Sequence, residues 1–356
     1  MSKHTLRASP HAHDRSSVNR IMFQVCLALA PVTLWAFHLF GWSAAIIWVL
    51  TCASAIVAEG FCLWLRHEPL SRLNDGSALL TGWLLALTLP PLCPWWVSVG
   101  GAAFAIIIGK QIYGGIGQNL FNPALLARVA LLISFPVPLT TWLSPELSPG
   151  FADSMNIIFA GAPINDALTG ATLLGDSKAA VKGGADMATY LDAHFSAAVA
   201  FLGNIRGSLG ETSALLALLG GLFLFFRGLI TWHIPVAMIG TVALISQVTH
   251  MANPAHYPGA MFHLSSGALM LGAFFYATDY VTSPSSQSGK IIFGIGCGVL
   301  VFVIRSYGGF PEAVAFGILF MNALTPLIDR VTRPRVYGRN LKGNPIHHVP
   351  AQRRVQ

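Results

Sequence analysis

The chain has 356 residues, of which 54% are hydrophobic and only 10% charged, with a formal net charge of +7. Mean hydropathy is +0.62, and soluble globular domains carry about 25% charged residues, so a wholly water-facing surface is excluded and most of the exterior must face lipid. The positive balance does not indicate nucleic acid: the basic residues cluster at the two ends without a basic helix or an aromatic platform, as on the cytoplasmic flanks of a membrane protein.

Residues 1–20 are polar and basic, with Lys3, Arg7, Arg15 and Arg20, and read as a cytoplasmic tail rather than a signal peptide. The first half, 21–135, is read as five membrane spans. They run from about Ile21 to Phe40, Ala44 to Leu65, Ser77 to Leu89, Trp95 to Ile108, and Pro123 to Phe135. Several are shorter than the roughly 20 residues that cross hydrocarbon, so broken or tilted segments are expected. Trp95 and Trp96 suit an interfacial anchor. Residues 136–210 change character: Gly and Ala abound, and the acids Glu146, Asp153, Asp166, Asp176, Asp186 and Asp192 appear. This reads as a periplasmic loop with a little helix near Asp186 to Ala200. The second half, 211–329, has spans near Ser213 to Phe226, Ile234 to Thr249, Leu264 to Thr278, Lys290 to Ile304 and Ala313 to Ile328. The tail 330–356 is basic, rich in Pro, Gly and His, and reads as disordered and cytoplasmic. Cys26, Cys52, Cys62, Cys93 and Cys297 all lie in or beside apolar runs, with no CxxC, and are expected to be small buried residues.

The halves echo each other. Gly76-Ser77-Ala78-Leu79-Leu80-Thr81-Gly82 resembles Ser266-Gly267-Ala268-Leu269-Met270-Leu271-Gly272, and Gly114-Gly115 resembles Gly308-Gly309. About five spans per half, an odd number, forces the halves into opposite orientations, the inverted-repeat logic of many transporters. The expected fold is therefore an all-α polytopic membrane protein with about ten spans and one large extracytoplasmic loop. Arg66, Arg72, Lys110, Arg227 and Lys290 fall in loops on the side of the N-terminus, which places both termini in the cytoplasm and residue 172 outside it.

Within that loop lies Asp166-Ala167-Leu168-Thr169-Gly170-Ala171-Thr172. A threonine hydroxyl is a poor nucleophile, so its modification requires an enzyme. Gly170 and Ala171 leave the backbone unobstructed for one, and Asp166 offers a charge; a plain turn built of small residues is the competing explanation. A second candidate is Asn119 with Asn122-Pro123, preceded by Gly114, Gly115 and Gly117. Asn before a Pro at the first helical position is a good helix start, and the N–H groups there can either bind polar ligand atoms or simply be capped. Asp279, Arg128 and Arg305 are isolated charges near span ends, where snorkelling explains them and an ion or proton role for Asp279 is the alternative. His250, His256 and His263 read as interfacial, not as a metal site. No catalytic or metal-binding residue is expected.

These residues carry a resemblance. Asp166 to Thr172 looks like the flavinylation motif Asp-x-x-Ser/Thr-Gly-Ala-Thr, and Gly114 to Pro123 matches a Gly-Gly-x-Gly-x-Asn-x-x-Asn-Pro segment. With the span order from Ile21 to Arg330, the chain resembles the RnfD family of Rnf electron-transport complexes. Its sister is the NqrB family of the sodium-pumping NADH:quinone reductase; the short N-terminal tail favours the former. The resemblance implies FMN joined covalently through its phosphate to Thr172, with Asp166, Thr169, Gly170 and Ala171 as the recognition motif. It also implies noncovalent riboflavin near Asn119 and Asn122. Implied partners are the other members of the complex, including a second flavin-bearing one, a flavin transferase, and membrane lipid. The implied role is electron relay between ferredoxin and NAD coupled to Na+ or H+ translocation in the bacterial inner membrane, with no stand-alone activity. A small-solute channel of the same fold, and a purely structural assembly component, are the rival readings.

Overall fold

The computed structural model of the chain describes residues 17–145, 148–164, 169–184, 186–309 and 313–333. The N-terminal tail before residue 17, the tail beyond 333, and Glu146 and Asp166 lie outside the described residues.

The first half begins with α1 (Val18–Phe40), capped by the Ser17 hydroxyl, which accepts from the Arg20 N–H. Gly41, at φ 63°, turns the chain directly into α2 (Trp42–Leu65). α3 (Ser77–Thr88) starts after a left-handed Gly76. α4 (Trp95–Ile106) continues into a π turn, Ile107–Gln111. α5 (Pro123–Ser134) has Pro123 in its first turn and Asn122 as its cap. The intervening region supplies α6 (Pro136–Thr140), β1 (Trp142–Leu143), α7 (Phe151–Ala160), β2 (Thr169–Gly170), α8 (Leu173–Lys182), α9 (Met187–His194) and α10 (Ala197–Leu202). β1 and β2 pair antiparallel, Trp142 opposite Gly170 and Leu143 opposite Thr169.

The second half repeats the plan with α11 (Ala214–Phe226), α12 (His233–Ala252), a broken third segment, α15 (Gln287–Tyr307) and α16 (Val314–Val331). The broken segment is α13 (Ala260–Ser265) and α14 (Leu269–Leu271), the latter running into a second π turn, Gly272–Tyr276. Among the described residues five helices, α1, α2, α12, α15 and α16, are long and apolar enough to cross a bilayer. Their outward side chains, such as Leu34, Val57, Leu244 and Phe320, are exposed apolar groups suited to lipid. The fold is an all-α polytopic membrane protein.

Helix pairing shows the internal symmetry. α2 packs on α4 as α12 packs on α15; α4 meets α5 as α15 meets α16; α1 meets α3 as α11 meets α14. Between the halves, α1 touches α11 and α5 touches α16, so these two helices meet their own counterparts, as elements beside a two-fold axis do. At the first of these crossings a Cβ on Gly220 would stand 2.5 Å from the Ala28 carbonyl oxygen, so only glycine permits that approach. In the centre, the Tyr276 hydroxyl donates to the Leu84 carbonyl of α3 at 2.7 Å. The Gly210 and Leu209 N–H groups bond the Leu87 and Leu89 carbonyls at 2.7 and 3.2 Å, tying off the end of α3.

Two expectations need correction. The span from Leu264 to Thr278 is not continuous: Ser266, Gly267 and Ala268 interrupt it, with Gly267 at φ 68°. Apolar periodicity cannot reveal a break inside an apolar run. The central region also holds more helix than the little expected near Asp186: α7 and α8 precede it. α8 is too polar to announce itself, and only its packing shows which face is inward.

Candidate functional site

On one side of the bundle stands Thr172, the cap of α8: its hydroxyl accepts from the Gly175 N–H at 3.2 Å. Thr169 and Gly170 form β2, which leads directly to Ala171 and the cap. A Cβ at Gly170 would run into the Arg206 guanidinium, so glycine is what lets this cation lie against the strand two residues from Thr172. The first-turn N–H groups of α8 and the Arg206 guanidinium together set a positive field at the hydroxyl. These residues fit a phosphate ester at that oxygen. Thr172 is only 6% exposed, however, so an enzyme cannot reach the hydroxyl while the segment is closed.

On the opposite side, Asn119 and Asn122 come together as expected, along a cavity of about 110 Å³ that also takes in Ser77, Lys110, Thr278 and Asp279. The Asn122 side-chain oxygen accepts from the Ala124 and Leu125 N–H groups at 3.1 and 3.4 Å, capping α5. The Asn119 amide donates to the Phe121 carbonyl at 2.9 Å. Half of each amide is thus committed to local structure, which leaves the Asn122 NH2 and the Asn119 oxygen facing other uses. At its present size the cavity lies below the roughly 300–1,000 Å³ of ligand pockets, so a flavin ring does not fit it without movement of the glycine-rich loop before Asn119.

The site also holds a pair absent from the sequence reading. The Lys110 ammonium, counted there as a loop charge, is buried in the π turn and bonds both Glu59 carboxylate oxygens, at 2.7 and 2.6 Å, and the Ser77 hydroxyl at 2.6 Å. Gln111 donates to Glu59 at 3.1 Å and accepts from Arg66 at 3.0 Å. The signal that could have found it is a lone acid in the apolar α2: such a residue needs a partner at depth. The π turn, which displaces side chains from the α register, brings Lys110 to it.

The other isolated charges are also deeper than snorkelling implies. Arg128 and Arg305 are 3% and 5% exposed. Arg128 lies over the Trp142 ring at 5.9 Å and borders a small cavity of about 30 Å³ with Glu211 and Tyr276. Arg305 donates to the His263 and Ser266 carbonyls at 2.8 and 3.0 Å, holding the break between α13 and α14. Asp279 accepts from Thr282 and closes the turn that follows the second π turn. His263 is buried, not interfacial, whereas His256 is exposed. The five cysteines are buried and free.

Comparison with known proteins places these features in a wider group. The model of the NQR2, RnfD, RnfE family matches residues 5–338. A protein of Stutzerimonas stutzeri, called the D component of an ion-translocating oxidoreductase complex, is 57% identical over 347 residues, 96% of this chain and 98% of the relative. Proteins of the same name from Halorhodospira halophila and Escherichia coli strain SE11 are 47% and 41% identical, covering 96% and 94% of this chain and 97% and 98% of theirs.

Proposed function

The chain belongs to the NQR2, RnfD, RnfE family, and from that premise we propose that it is the flavin-bearing RnfD component of an Rnf-type ferredoxin:NAD oxidoreductase, with FMN joined through its phosphate to Thr172. At the coarser level it is a multi-pass membrane subunit of an ion-translocating oxidoreductase complex, as its relatives are named. Flavin, when bound, supplies one- and two-electron transfer. Everything else is the work of this chain. Thr172 provides the ester oxygen, and α8 and Arg206 offset the phosphate charge. Gly170 keeps that cation close, and the pairing of β2 with β1 positions the segment.

Because Thr172 is closed off, attachment happens while the segment stands away from the bundle. Among the described residues only Thr169 and Gly170 pair with β1, so lifting them costs little backbone hydrogen bonding there. A flavin transferase reading Asp166 to Thr172 then meets an open strand. Both termini lie in the cytoplasm and Thr172 on the periplasmic side of the inner membrane. Arg66, Arg72, Arg227 and Lys290 support this orientation, and Lys110, buried in the bundle and not in a loop, no longer counts toward it. A reporter fused at residue 172 and active only inside the cell would overturn it.

The observation that carries the reading is Thr172 at the head of α8 beside a cation that only glycine admits. A denatured, washed gel band should fluoresce under ultraviolet light, and the peptide containing Thr172 should be heavier by one FMN less water; Thr172→Ala should abolish both. A dark band and an unmodified peptide from cells containing the transferase would leave a channel or a scaffold. Noncovalent riboflavin at Asn119 and Asn122 enters only with an opened form of the cavity; chromatography of flavins released on denaturation should then give riboflavin, lost on joint replacement of both asparagines by leucine. For the coupling ion, Na+ or H+, Asp279 is the residue proposed to act, since it shares the cavity with Lys110 and Thr278. Asp279→Asn should impair ion uptake in vesicles while the complex still assembles.

A further inference from the structure

A second built site lies on the Thr172 side, behind α8. Leu174, Ser177, Lys178, Val181 and Lys182 fall on one stripe of that helix, and this stripe forms the wall of a cavity of about 140 Å³. His256 and Tyr257 from the connection after α12, His263 of α13 and Arg305 of α15 form the facing wall. The lining thus brings three permanent cations and two imidazoles together, and no carboxylate is among its described residues.

Two features make this arrangement costly unless an anion enters. Lys178 and Lys182 are like charges one turn apart on the stripe that lines the cavity, Lys182 at its exposed end, and they repel; burial, and then Lys182, hold the Lys178 ammonium below the usual lysine range. Lys178 spends two of its three donors on the Arg305 and Gly308 carbonyls at the end of α15, which fixes it in the wall. Independently, His263 is 3% exposed and neither ring nitrogen has a hydrogen-bond partner. Buried polar groups in folded proteins are ordinarily satisfied, and one that is not points to a missing partner. Tyr257 also lines the cavity, and its hydroxyl meets that of Tyr307 at 3.0 Å. Tyr307 is exposed at the end of a membrane-crossing helix, the level at which tyrosines meet lipid head groups.

We propose that this cavity binds a phosphate group, received between the lysines of α8 and His263. Several donors converge from different elements, which suits a tetrahedral anion better than a planar carboxylate. The phosphate comes either from an anionic phospholipid entering past Tyr257, in the manner of basic pockets between helices, or from a soluble phosphate. Bound, it cross-links α8 to α13 and α15 and so steadies the helix that Thr172 begins. No group carried by Thr172 is needed for this binding.

The test uses the whole complex, delipidated and reconstituted in nanodiscs. Binding is measured with labelled inorganic phosphate and, separately, with phosphatidylglycerol against phosphatidylcholine as background. Lys182 is exposed, so Lys182→Glu should fold and assemble; it should weaken binding about tenfold or more, the worth of one charged hydrogen bond. Lys182→Arg should retain it, and His263→Phe, which keeps the volume, should also lose affinity. Phosphatidylglycerol binding without inorganic phosphate binding assigns the lipid source, and the reverse assigns the soluble one. If neither probe binds, or if Lys182→Glu and His263→Phe bind as the parent does, the proposal is wrong.

Discussion

Both repeats must hold the start of their third segment at depth, and they do it with different chemistry. In the first, Lys110 reaches the Ser77 hydroxyl at the head of α3 and is neutralised by the Glu59 carboxylate. In the second, Arg305 donates to the His263 and Ser266 carbonyls at the break before α14, and Lys178 caps the carbonyls of Arg305 itself and Gly308. The first clamp is a pair of opposite charges, each only 4% exposed, on the side of the Asn119 cavity. The second is built of main-chain acceptors and lies behind the helix that begins at Thr172. A charge pair loses its function when either member is neutralised, whereas these bonds from Arg305 and Lys178 run to main-chain carbonyls, which carry no net charge. That difference puts the ion-pair clamp on the cavity side and the carbonyl clamp under the Thr172 segment.

The comparison can be tested by cutting each clamp. The largest effect is expected for Glu59→Ala, which leaves a buried ammonium uncompensated and should cost about 3–5 kcal/mol. Thermal unfolding of the purified complex measures it, and joint Glu59→Gln and Lys110→Met should recover most of the loss. Recovery failing in the double variant would mean that the pair holds more than its own charge. Arg305→Gln should cost less, about 2–3 kcal/mol, the worth of charged hydrogen bonds to main-chain carbonyls, which carry no charge of their own. Equal losses for the two variants would erase the distinction.

The two left-handed glycines sharpen the comparison further. At Gly267 an added Cβ would stand 2.9 Å from the Arg305 guanidinium and 3.0 Å from the Leu174 side chain of α8, whereas at Gly76 it would meet only Met22 at 3.5 Å. Both alanine variants bear a left-handed penalty of about 1–2 kcal/mol. Only Gly267→Ala also pushes on the clamp and on α8, so its unfolding temperature should fall further than that of Gly76→Ala. Asp279→Asn should be the mildest, within about 0.5 kcal/mol, since the amide keeps one oxygen for the Val281 N–H, can turn its NH2 to the Thr282 hydroxyl, and buries no new charge; ion uptake, not stability, is where it should register.

Much of the fold was legible in the sequence because its causes are local. Long apolar runs gave the spans, and Asn122-Pro123 announced the start of α5 at the observed position. The echo of Gly76-Ser77-Ala78 with Ser266-Gly267-Ala268 falls where two segments begin after a left-handed glycine, Gly76 in the first and Gly267, one position later in the alignment, in the second. The site was half legible. Thr169 to Thr172 stood out by composition, and Asn119 and Asn122 do share a cavity. Nothing local, however, signals that Arg206 lies against Gly170 or that Lys182 and His263 face one space.

The sequence by itself determined that this chain is a lipid-embedded helical protein of two similar halves, since burying or exposing each apolar run in a bilayer is decided residue by residue. Only the tertiary structure decided which partners the charged side chains find, a carboxylate for Lys110 and the Arg305 carbonyl for Lys178. Glu59 and Lys110 lie 51 positions apart, and Lys178 and Arg305 lie 127 apart. Such pairs form because a buried charge has no water to turn to and must take the partner that the packing of distant helices brings within reach.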